Sequence, residues 1–309
     1  MLPTLRALAE SFSAPMTLIC PQVSFDVCFR GLGGRLIDIT GSPPIGPPLG
    51  PASNRVLDYD ALAAEIGDVD VFIDAVPWDV PSNVFARSLR ERLSPTTSIG
   101  FPTGDAYDIV VPRDLPHSAD LTFKLARLFD PAARIESYAS PVPIRPAVQA
   151  EIRALRSALP ARTKVLAVHA DTTSLNKRWP VTRFIDLLDR FLSRHREFVA
   201  WVVGMGPEEL NVGRERDRVI PYLGVPLDLA MGMVAEADLF LGIDSCMLHA
   251  ADLARIPGVG LYGPTHPDRW GFRFAPHRHV HASAMTDITV DMALGALEDL
   301  AYRERASRT

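Results

Sequence analysis

The feature that most constrains the fold is a repeated alternation of short apolar runs with segments of helical period. The runs are continuously apolar, which is typical of strands covered on both faces, as in parallel sheets. Together the two kinds of segment predict doubly wound α/β domains. The runs are Thr17–Cys20, Asp70–Asp74, Val165–Val168, Phe198–Val203, Asp238–Gly242 and Val259–Tyr262. The helical segments are Leu2–Phe12, Asn83–Arg92, Ala119–Phe129, Arg145–Leu159, Val181–His195 and Asp228–Ala237.

A domain boundary is indicated in the middle of the sequence. Prolines recur between residues 131 and 146, one helical segment follows, and a fresh strand begins at Lys164. The chain has 309 residues, which fits two domains at about 150 residues each. We therefore expect one domain over residues 1–160 and a second over residues 161–288.

Composition excludes several classes of protein. Lysine and arginine total 32 and aspartate and glutamate 37, for a formal charge of −5, which argues against a nucleic-acid partner. No apolar run approaches the length of a transmembrane helix, and the first ten residues are too mixed for a signal peptide. The cysteines Cys20, Cys28 and Cys246 form no metal-spaced pair. A reducing, cytoplasmic setting is the simplest interpretation.

The segment between His169 and Pro180 is a candidate phosphate-binding loop. It follows a predicted strand and carries the adjacent hydroxyls of Thr172 and Thr173, with Lys177 a few residues later. Hydroxyls donate hydrogen bonds to phosphate oxygens, and an ammonium group neutralises their charge. An ordinary strand-to-helix loop is the alternative.

A second candidate lies where another buried run ends, at Gly242. Ser245 is a residue type that caps helices, and a helix N-terminus at the carboxyl end of a parallel strand favours anions. Asp244 is itself an anion, so it suits hydroxyls or a cation rather than phosphate. His249 lies one turn after Ser245 on the same helix face. A capped helix with a core histidine is the alternative.

Two further loops follow predicted strands in the second half of the sequence. In Gly204-Met-Gly-Pro-Glu-Glu209, glycines let a ligand approach the backbone and carboxylates accept hydrogen bonds from ribose hydroxyls; a tight turn is the alternative. Leu261–Trp270 is a long loop after a strand. All four loops fall at the carboxyl ends of predicted strands, the edge at which open parallel sheets bind ligands. We therefore expect one shared site.

In their order and spacing, these motifs resemble glycosyltransferase family nine, the lipopolysaccharide heptosyltransferase family. The first half of the chain resembles the family more loosely, through Asp70–Asp74 and Ser98–Phe101. The stronger motifs are Thr172-Thr173 with Lys177-Arg-Trp-Pro180, Gly204-x-Gly-Pro-Glu208, Asp244-Ser245 with His249, and Tyr262-Gly-Pro-Thr-His-Pro-Asp268.

The resemblance implies a GT-B fold, in which two Rossmann-like domains face a cleft. The first domain would bind the acceptor, and the last helix, residues 289–306, would return to it. The second would bind a nucleotide-sugar donor, ADP-heptose in this family, for an inverting transfer that uses no metal and no other cofactor. Thr172, Thr173 and Lys177 would hold the diphosphate, Glu208 the ribose, and the backbone near Val225 the base. Asp244, Ser245, Cys246 and His249 would line the region of the sugar and phosphate.

Two departures from the family's pattern bear on catalysis. Cys246 stands where the family commonly has glycine, which adds bulk next to the phosphate. The family begins with a strand and a Gly-Asp loop whose aspartate is the expected general base, whereas Met1–Leu8 matches the helix after that loop. We therefore expect the first strand of the first domain, and that aspartate, to be missing here. The remaining base candidates are Asp26, Asp74 and Asp105.

The sequence thus predicts an inverting, metal-independent glycosyltransferase that moves a heptose or related sugar from a nucleotide diphosphate to a hydroxyl of a sugar acceptor. A nucleotide-sugar-binding paralogue or partner subunit without transferase activity is the alternative, favoured by the missing Gly-Asp loop. A nucleotide-sugar epimerase on the same fold finds no clear match to its catalytic residues. We expect a cytoplasmic monomer, and peripheral association with a membrane stays open.

Overall fold

The computed structural model describes residues 1–39, 57–77, 83–102, 107–206 and 210–306, and shows an α/β protein with parallel sheets. The chain divides into two compact units, Met1–Ala139 and Ser140–Thr309. Among the helices described, none has both the length and the apolarity that crossing a bilayer requires.

The first unit holds two short parallel sheets. In one, β1 pairs with β2; in the other, β4 pairs with β3 on one side and with β5 on the other. Leu89, Phe101 and Leu125 are fully buried in its core. Its elements are α1 Leu2–Ser11, β1 Thr17–Cys20, α2 Gln22–Cys28, β2 Arg35–Asp38, α3 Tyr59–Ile66, β3 Val71–Ile73, α4 Asn83–Leu93, β4 Thr97–Gly100, β5 Ile109–Val110, α5 Ser118–Arg127 and α6 Ile135–Tyr138.

The second unit is built on one parallel sheet of six strands, in the order β11-β10-β9-β6-β7-β8. Its elements are α7 Pro146–Ser157, β6 Lys164–His169, α8 Val181–Arg194, β7 Phe198–Gly204, β8 Val219–Leu223, α9 Leu227–Ala235, β9 Leu239–Ile243, α10 Cys246–Leu253, β10 Gly258–Tyr262, α11 Pro267–Trp270, β11 His277–His281 and α12 Val290–Ala306.

The strand order reverses in the middle of this sheet. From β6 the chain adds β7 and β8 on one side, then crosses back to add β9, β10 and β11 on the other. Strands β6 and β9 are neighbours, with His169 opposite Gly242 in the register. Because every pair in the sheet is parallel, all six strands end at the same edge. The switch point therefore lies between the loops that follow β6 and β9.

Helix α8 shows why this unit folds as it does. Its apolar residues recur at i, i+3, i+4, i+7 and i+8, which places them on one face of the helix. All of these side chains are buried, and α8 packs on β7 and α12. They are Phe184, Leu187, Leu188, Phe191 and Leu192.

The boundary between the units falls before α7, earlier than the boundary at residue 160 that the sequence suggests. Helix α7 packs on α9 of the second unit, and Ile152 is buried there. A Cβ on Gly232 of α9 would lie 2.3 Å from the Ile152 Cδ1 atom, so glycine allows this close approach. The packing assigns α7 to the second unit.

The last helix packs within its own unit, where α12 lies on α8, β10 and β11. The return of residues 289–306 to the first domain stays a prediction. The buried side chains of α12 include Leu294, Leu297 and Leu300, which join the core of the six-stranded sheet. The apolar stripe of α12 is therefore covered by its own unit.

The six predicted strands and the eight predicted helices, which include the helix after Ser245 and the last helix, are confirmed with shifts at their ends. Four strands, β2, β4, β5 and β8, and the short helices α2, α3, α6 and α11 were not predicted. The alternating segment His277-Arg-His-Val-His281 fits a partly exposed strand, with a metal site on its three imidazoles as the alternative. The structure confirms the strand as β11 at the sheet edge, where only Val280 is buried.

Asp252 provides a test of this packing. Its buried carboxylate accepts hydrogen bonds from the backbone N–H groups of Arg273, Phe274 and Ala275, at 2.9, 2.7 and 2.8 Å. We expect Asp252→Ala to lower the free energy of unfolding by about 2–4 kcal/mol, because it leaves buried donors unsatisfied. Urea denaturation measures this loss. The exposed Asp217→Ala is the control and should change the free energy of unfolding by less than about 0.5 kcal/mol. Equal losses in the two variants would show that the hydrogen bonds to Asp252 do not stabilise the fold.

Candidate functional site

An ion pair crosses the switch point of the second unit. The loop after β6 forms a short 3-10 turn, Leu175–Lys177, and the Lys177 Nζ atom donates a hydrogen bond to Asp244 Oδ2 at 2.8 Å. Asp244 follows β9, and its side chain is 8 % exposed, against 27 % for Lys177. A lysine carries three N–H donors, so the ammonium group keeps donors for a further anion at this edge.

Three buried hydroxyl groups lie at the ends of β9 and β10. The Ser245 Oγ, Tyr262 OH and Thr265 Oγ1 atoms have no hydrogen-bond partner among the residues that the structure describes. Ser245 occupies the N-cap position of α10, as predicted, but its side chain makes no capping bond. Leaving a buried polar group unpaired costs about 1–3 kcal/mol, so these groups indicate a site for a polar ligand or bound water.

The Tyr262 phenol is held in its neutral form. Burial raises its pKa, and the nearby carboxylates of Asp244 and Asp252 raise the pKa further. Its ring packs edge-on against His279, with centroids 5.3 Å apart. The ring folds back over Gly260, where a Cβ would lie 2.7 Å from the Tyr262 hydroxyl oxygen, so the phenol points along β10 into the unit.

The loops after β6, β7 and β8 are fastened to one another. The Asp171 carboxylate accepts hydrogen bonds from the backbone N–H groups of Gly206, at 2.7 Å, and Met205. A Cβ on Gly204 would lie 2.1 Å from Asp171 Oδ2, so only glycine permits this approach. The Gly204 carbonyl in turn accepts a hydrogen bond from Gly224 N at 2.8 Å. These contacts hold the backbone of the three loops at one edge.

His169 links the ends of β6 and β7 at the same edge of the sheet. It ends β6, is 6 % exposed, and its Nδ1 lies 2.8 Å from the Val203 carbonyl oxygen of β7. Burial lowers the pKa of His169, so the imidazole is neutral near neutral pH and Nδ1–H is the donor. It therefore acts as a link between strand ends.

The structure brings most of the predicted donor residues to one sheet edge. Lys177, Asp244 and Ser245 lie at the switch point. Thr173 is exposed, and Thr172 Oγ1 accepts a hydrogen bond from Ser174 N at 3.1 Å, which stabilises its own turn.

The other predicted donor residues lie farther along the same edge or outside the described part of the chain. Cys246 is exposed in the first turn of α10, and His249 lies half-buried one turn later. Val225 follows β8, two strands from β6, so it lies roughly 10 Å along the edge at a strand spacing of about 4.8 Å. Glu208 lies outside the residues described.

The base candidates belong to the first unit. Asp26 is exposed on α2, where one carboxylate oxygen accepts a hydrogen bond from Gln22 Nε2 at 2.8 Å. Asp74 is buried, and its two oxygens accept bonds from Tyr107 OH, at 2.6 Å, and Val76 N, at 3.0 Å. Asp105 lies outside the described residues.

Sequence reasoning missed the roles of Asp171, Tyr262 and Thr265. Asp171 carries a usable signal, since it follows a strand in a loop facing a glycine-rich loop. The unpaired hydroxyls of Tyr262 and Thr265 depend on burial, which no local pattern reports. Within the part of the chain that the structure covers, no cluster of histidine, cysteine or carboxylate side chains has the arrangement of a metal site.

The comparisons with known proteins agree with this geometry. The sequence model of glycosyltransferase family 9 (heptosyltransferase) matches residues 126–289, a range that contains all four strand-end loops. No curated protein matches the sequence.

Several solved structures share the fold. A glycosyl transferase of family 9 from Veillonella parvula DSM 2008 has a TM-score of 0.74 at 17 % identity, over 98 % of this chain and 92 % of its own. The E. coli ADP-heptose lps heptosyltransferase II has a TM-score of 0.66 at 14 % identity, over 98 % and 96 %. E. coli heptosyltransferase WaaC with ADP has a TM-score of 0.65 at 17 % identity, over 97 % and 95 %. These likenesses show an α/β fold of the GT-B class.

The buried His169 predicts a pH dependence of stability. Its folded pKa lies below the unfolded value of 6.5, so above pH 6.5 both states are neutral and the residue adds no pH dependence. Below that pH the unfolded chain binds a proton that the folded chain resists. Stability should therefore fall toward the folded pKa, by at most about 1.4 kcal/mol per pH unit.

His169→Gln, whose amide can still donate to the Val203 carbonyl, should remove this part of the pH dependence in urea denaturation at pH 5 to 7. The exposed His281→Gln is the matched control and should keep the wild-type slope. An unchanged slope in His169→Gln would show that another group titrates.

Proposed function

Because the chain belongs to glycosyltransferase family 9 and is a glycosyltransferase, we propose that it transfers a heptose or related sugar from a nucleotide diphosphate to a sugar hydroxyl. ADP-heptose is the proposed donor, and transfer proceeds with inversion and without a metal. The names of two similar structures, an ADP-heptose heptosyltransferase and WaaC with ADP, support this donor. The observation that carries the proposal is the Lys177–Asp244 pair beside the unpaired Ser245 hydroxyl.

The leaving diphosphate requires positive potential, because negative charge grows on its bridging oxygen as the glycosidic bond breaks. Lys177 supplies a full charge through the N–H donors that Asp244 does not occupy. The Ser245 hydroxyl and the N-terminus of α10 add donors and the positive end of a helix dipole. These groups are held in place before the reaction, so the site stabilises the leaving group without a divalent ion.

Asp244 and Lys177 bind different parts of the nucleotide-sugar donor. A carboxylate repels phosphate but accepts hydrogen bonds from sugar hydroxyls, whereas an ammonium group binds phosphate. Their ion pair fixes the two charges next to each other at the switch point. We therefore assign the diphosphate to the Lys177 side and the sugar ring to the Asp244 side.

The nucleoside extends along the sheet edge toward β8. The loops after β7 and β8 lie on that side of β6, and their backbone is held together by Asp171 and by the bond between Gly204 and Gly224. The backbone near Val225 meets the base, and Glu208 binds the ribose. Thr172 and Thr173 bind the diphosphate in the loop that carries Lys177, while Cys246 and His249 on α10 line the phosphate side.

The acceptor hydroxyl needs a general base, whose contribution is about 10²–10⁴-fold in rate. Among the two described candidates, Asp26 is exposed and Asp74 has both oxygens occupied by hydrogen bonds. We therefore place Asp26 ahead of Asp74.

Family membership favours the transferase over the non-catalytic nucleotide-sugar-binding alternative. Cytoplasmic location and a monomeric state belong to the same proposal.

Binding of ADP, UDP and GDP, measured by calorimetry, tests the donor site. We expect selective binding of ADP, and we expect Lys177→Ala to weaken it by about 1.5–3 kcal/mol, roughly 10- to 100-fold in Kd, through loss of a charged hydrogen bond. Lys164→Ala is the matched control, because Lys164 begins β6 at the opposite edge of the sheet. Equal weakening by both variants, or no binding of any nucleotide, would contradict the assignment.

The assignment of the diphosphate to Lys177 and of the sugar to Asp244 gives a second test. Asp244→Asn removes a negative charge next to the diphosphate, so ADP should bind at least as tightly as to the wild-type protein. Sugar transfer should fall by about 100-fold or more, since the sugar loses its positioning group. Calorimetry with ADP and a transfer assay with ADP-heptose measure the two effects. Loss of ADP affinity as large as in Lys177→Ala would show that Asp244 acts on the diphosphate through Lys177.

A further inference from the structure

The Asp171 carboxylate belongs to the loop after β6 but makes its hydrogen bonds in the loop after β7. One oxygen, Oδ2, accepts hydrogen bonds from the backbone N–H groups of both Met205 and Gly206. Successive N–H groups that converge on one oxygen form the kind of arrangement that binds anions in glycine-rich phosphate loops. In this chain the anion at that point is a side chain of the protein, so the N–H groups of Met205 and Gly206 are not available to a phosphate.

The second oxygen of Asp171 keeps its capacity to accept. Among the residues that the structure describes, no group donates a hydrogen bond to Oδ1 and no cation pairs with the carboxylate. The residue is half-buried, and the two bonds to Oδ2 fix its position. Asp171 therefore presents a charged hydrogen-bond acceptor at the carboxyl edge of the sheet, between the ends of β6 and β7.

The place of this acceptor along the sheet edge matches the ribose of a bound nucleotide. The proposed function puts the diphosphate at Lys177, after β6, and the base near Val225, after β8. In a nucleoside diphosphate the ribose joins these two groups, and β7 is the strand between β6 and β8. The ribose therefore passes the loop that follows β7, which is the loop that Asp171 holds.

A carboxylate next to a ribose has two chemical consequences. In dinucleotide-binding domains an acidic side chain accepts a hydrogen bond from a ribose hydroxyl, whereas a phosphate on that hydroxyl is accommodated by an arginine. The charge that accepts a hydroxyl group repels a phosphate in the same place. A ribose carries two hydroxyl groups, so Asp171 complements the carboxylate of Glu208, which the proposed function also assigns to the ribose.

We propose that Asp171 determines specificity at the ribose of the nucleotide donor. Its Oδ1 atom accepts a hydrogen bond from one ribose hydroxyl, and its charge excludes nucleotides that carry a phosphate on that hydroxyl. Its Oδ2 atom meanwhile holds the loop after β7, so one side chain both orders the loop and recognises the ribose. This role rests on the proposed function, because it requires a nucleotide that lies across the ends of β6, β7 and β8.

The variant Asp171→Asn separates the recognition of ribose from the support of the loop. The amide oxygen of asparagine can accept both backbone hydrogen bonds, so the midpoint of urea denaturation should not change. The variant lacks the negative charge and the second acceptor oxygen. Asp217→Asn is the matched control, because it removes the same charge from an exposed side chain in the turn before β8, at the opposite edge of the sheet.

Calorimetry with ADP, 2′-deoxy-ADP and 3′-deoxy-ADP measures the hydrogen bond to the ribose. The wild-type protein should bind a deoxy analogue about 10-fold or more weakly than ADP, because a hydrogen bond to a charged group is lost. For one of the two analogues this ratio should fall below about threefold in Asp171→Asn and keep its wild-type value in Asp217→Asn. A merely structural role of Asp171 would change the affinity for all three nucleotides by the same factor, and unchanged ratios in Asp171→Asn would overturn the proposal.

Adenosine 2′,5′-bisphosphate and adenosine 3′,5′-bisphosphate test the exclusion of phosphate, since each differs from AMP by one phosphate on a ribose hydroxyl. The bisphosphate that is modified at the hydroxyl identified by the deoxy analogues should bind the wild-type protein about 10-fold or more weakly than AMP, and Asp171→Asn should remove most of this difference. Equal binding of AMP and both bisphosphates by the wild-type protein would overturn the proposal.

The same measurements distinguish this failure from a failure of the proposed function. A wild-type protein that binds no ADP contradicts the proposed function and the role of Asp171 with it. A wild-type protein that binds ADP, with ratios that Asp171→Asn leaves unchanged, contradicts the role of Asp171 alone.

Discussion

The ion pair between Lys177 and Asp244 depends on one topological constraint, the reversal of strand order between β6 and β9. Because the two strands are neighbours but are separated by two other strands in the chain, their loops leave the sheet side by side. The pair places a buried carboxylate within hydrogen-bond distance of a less buried ammonium group at that point. A site that must bind a negative leaving group and a neutral sugar requires both charges, and the switch point brings them together.

The surrounding contacts hold this edge in shape without occupying the groups that a ligand would use. Asp171, His169 and the Gly204 carbonyl form hydrogen bonds with backbone groups. These bonds connect the loops that follow β6, β7 and β8. Ser245 and Thr265, which follow β9 and β10 at the same edge, keep their hydroxyls unpaired among the residues that the structure describes. Rigid loops and unsatisfied donors at one edge are the physical basis of a preorganised binding site.

The two units complete their sheets to different extents. In the second unit, β6 and β9 are covered on both faces and paired on both edges, and their residues are almost entirely buried. In the first unit, β1 and β3 each have one paired edge among the described residues and face a common cavity. The strand patterns of the two halves look alike in the sequence, and only the pairing distinguishes them.

The sequence by itself determined the α/β class, the main strands and helices, and the loops of the donor edge, because continuous apolar runs and helical periodicity are local properties. It also pointed to Lys177, Asp244 and Ser245, since their residue types follow strand ends. Only the tertiary structure decided that Lys177 and Asp244 form a pair, that α7 and α12 belong to the second unit, and that the hydroxyls of Tyr262 and Thr265 are buried without partners. The cavity beside β1 escaped prediction for the same reason. Pairing and burial depend on residues distant in the chain, which no local pattern contains.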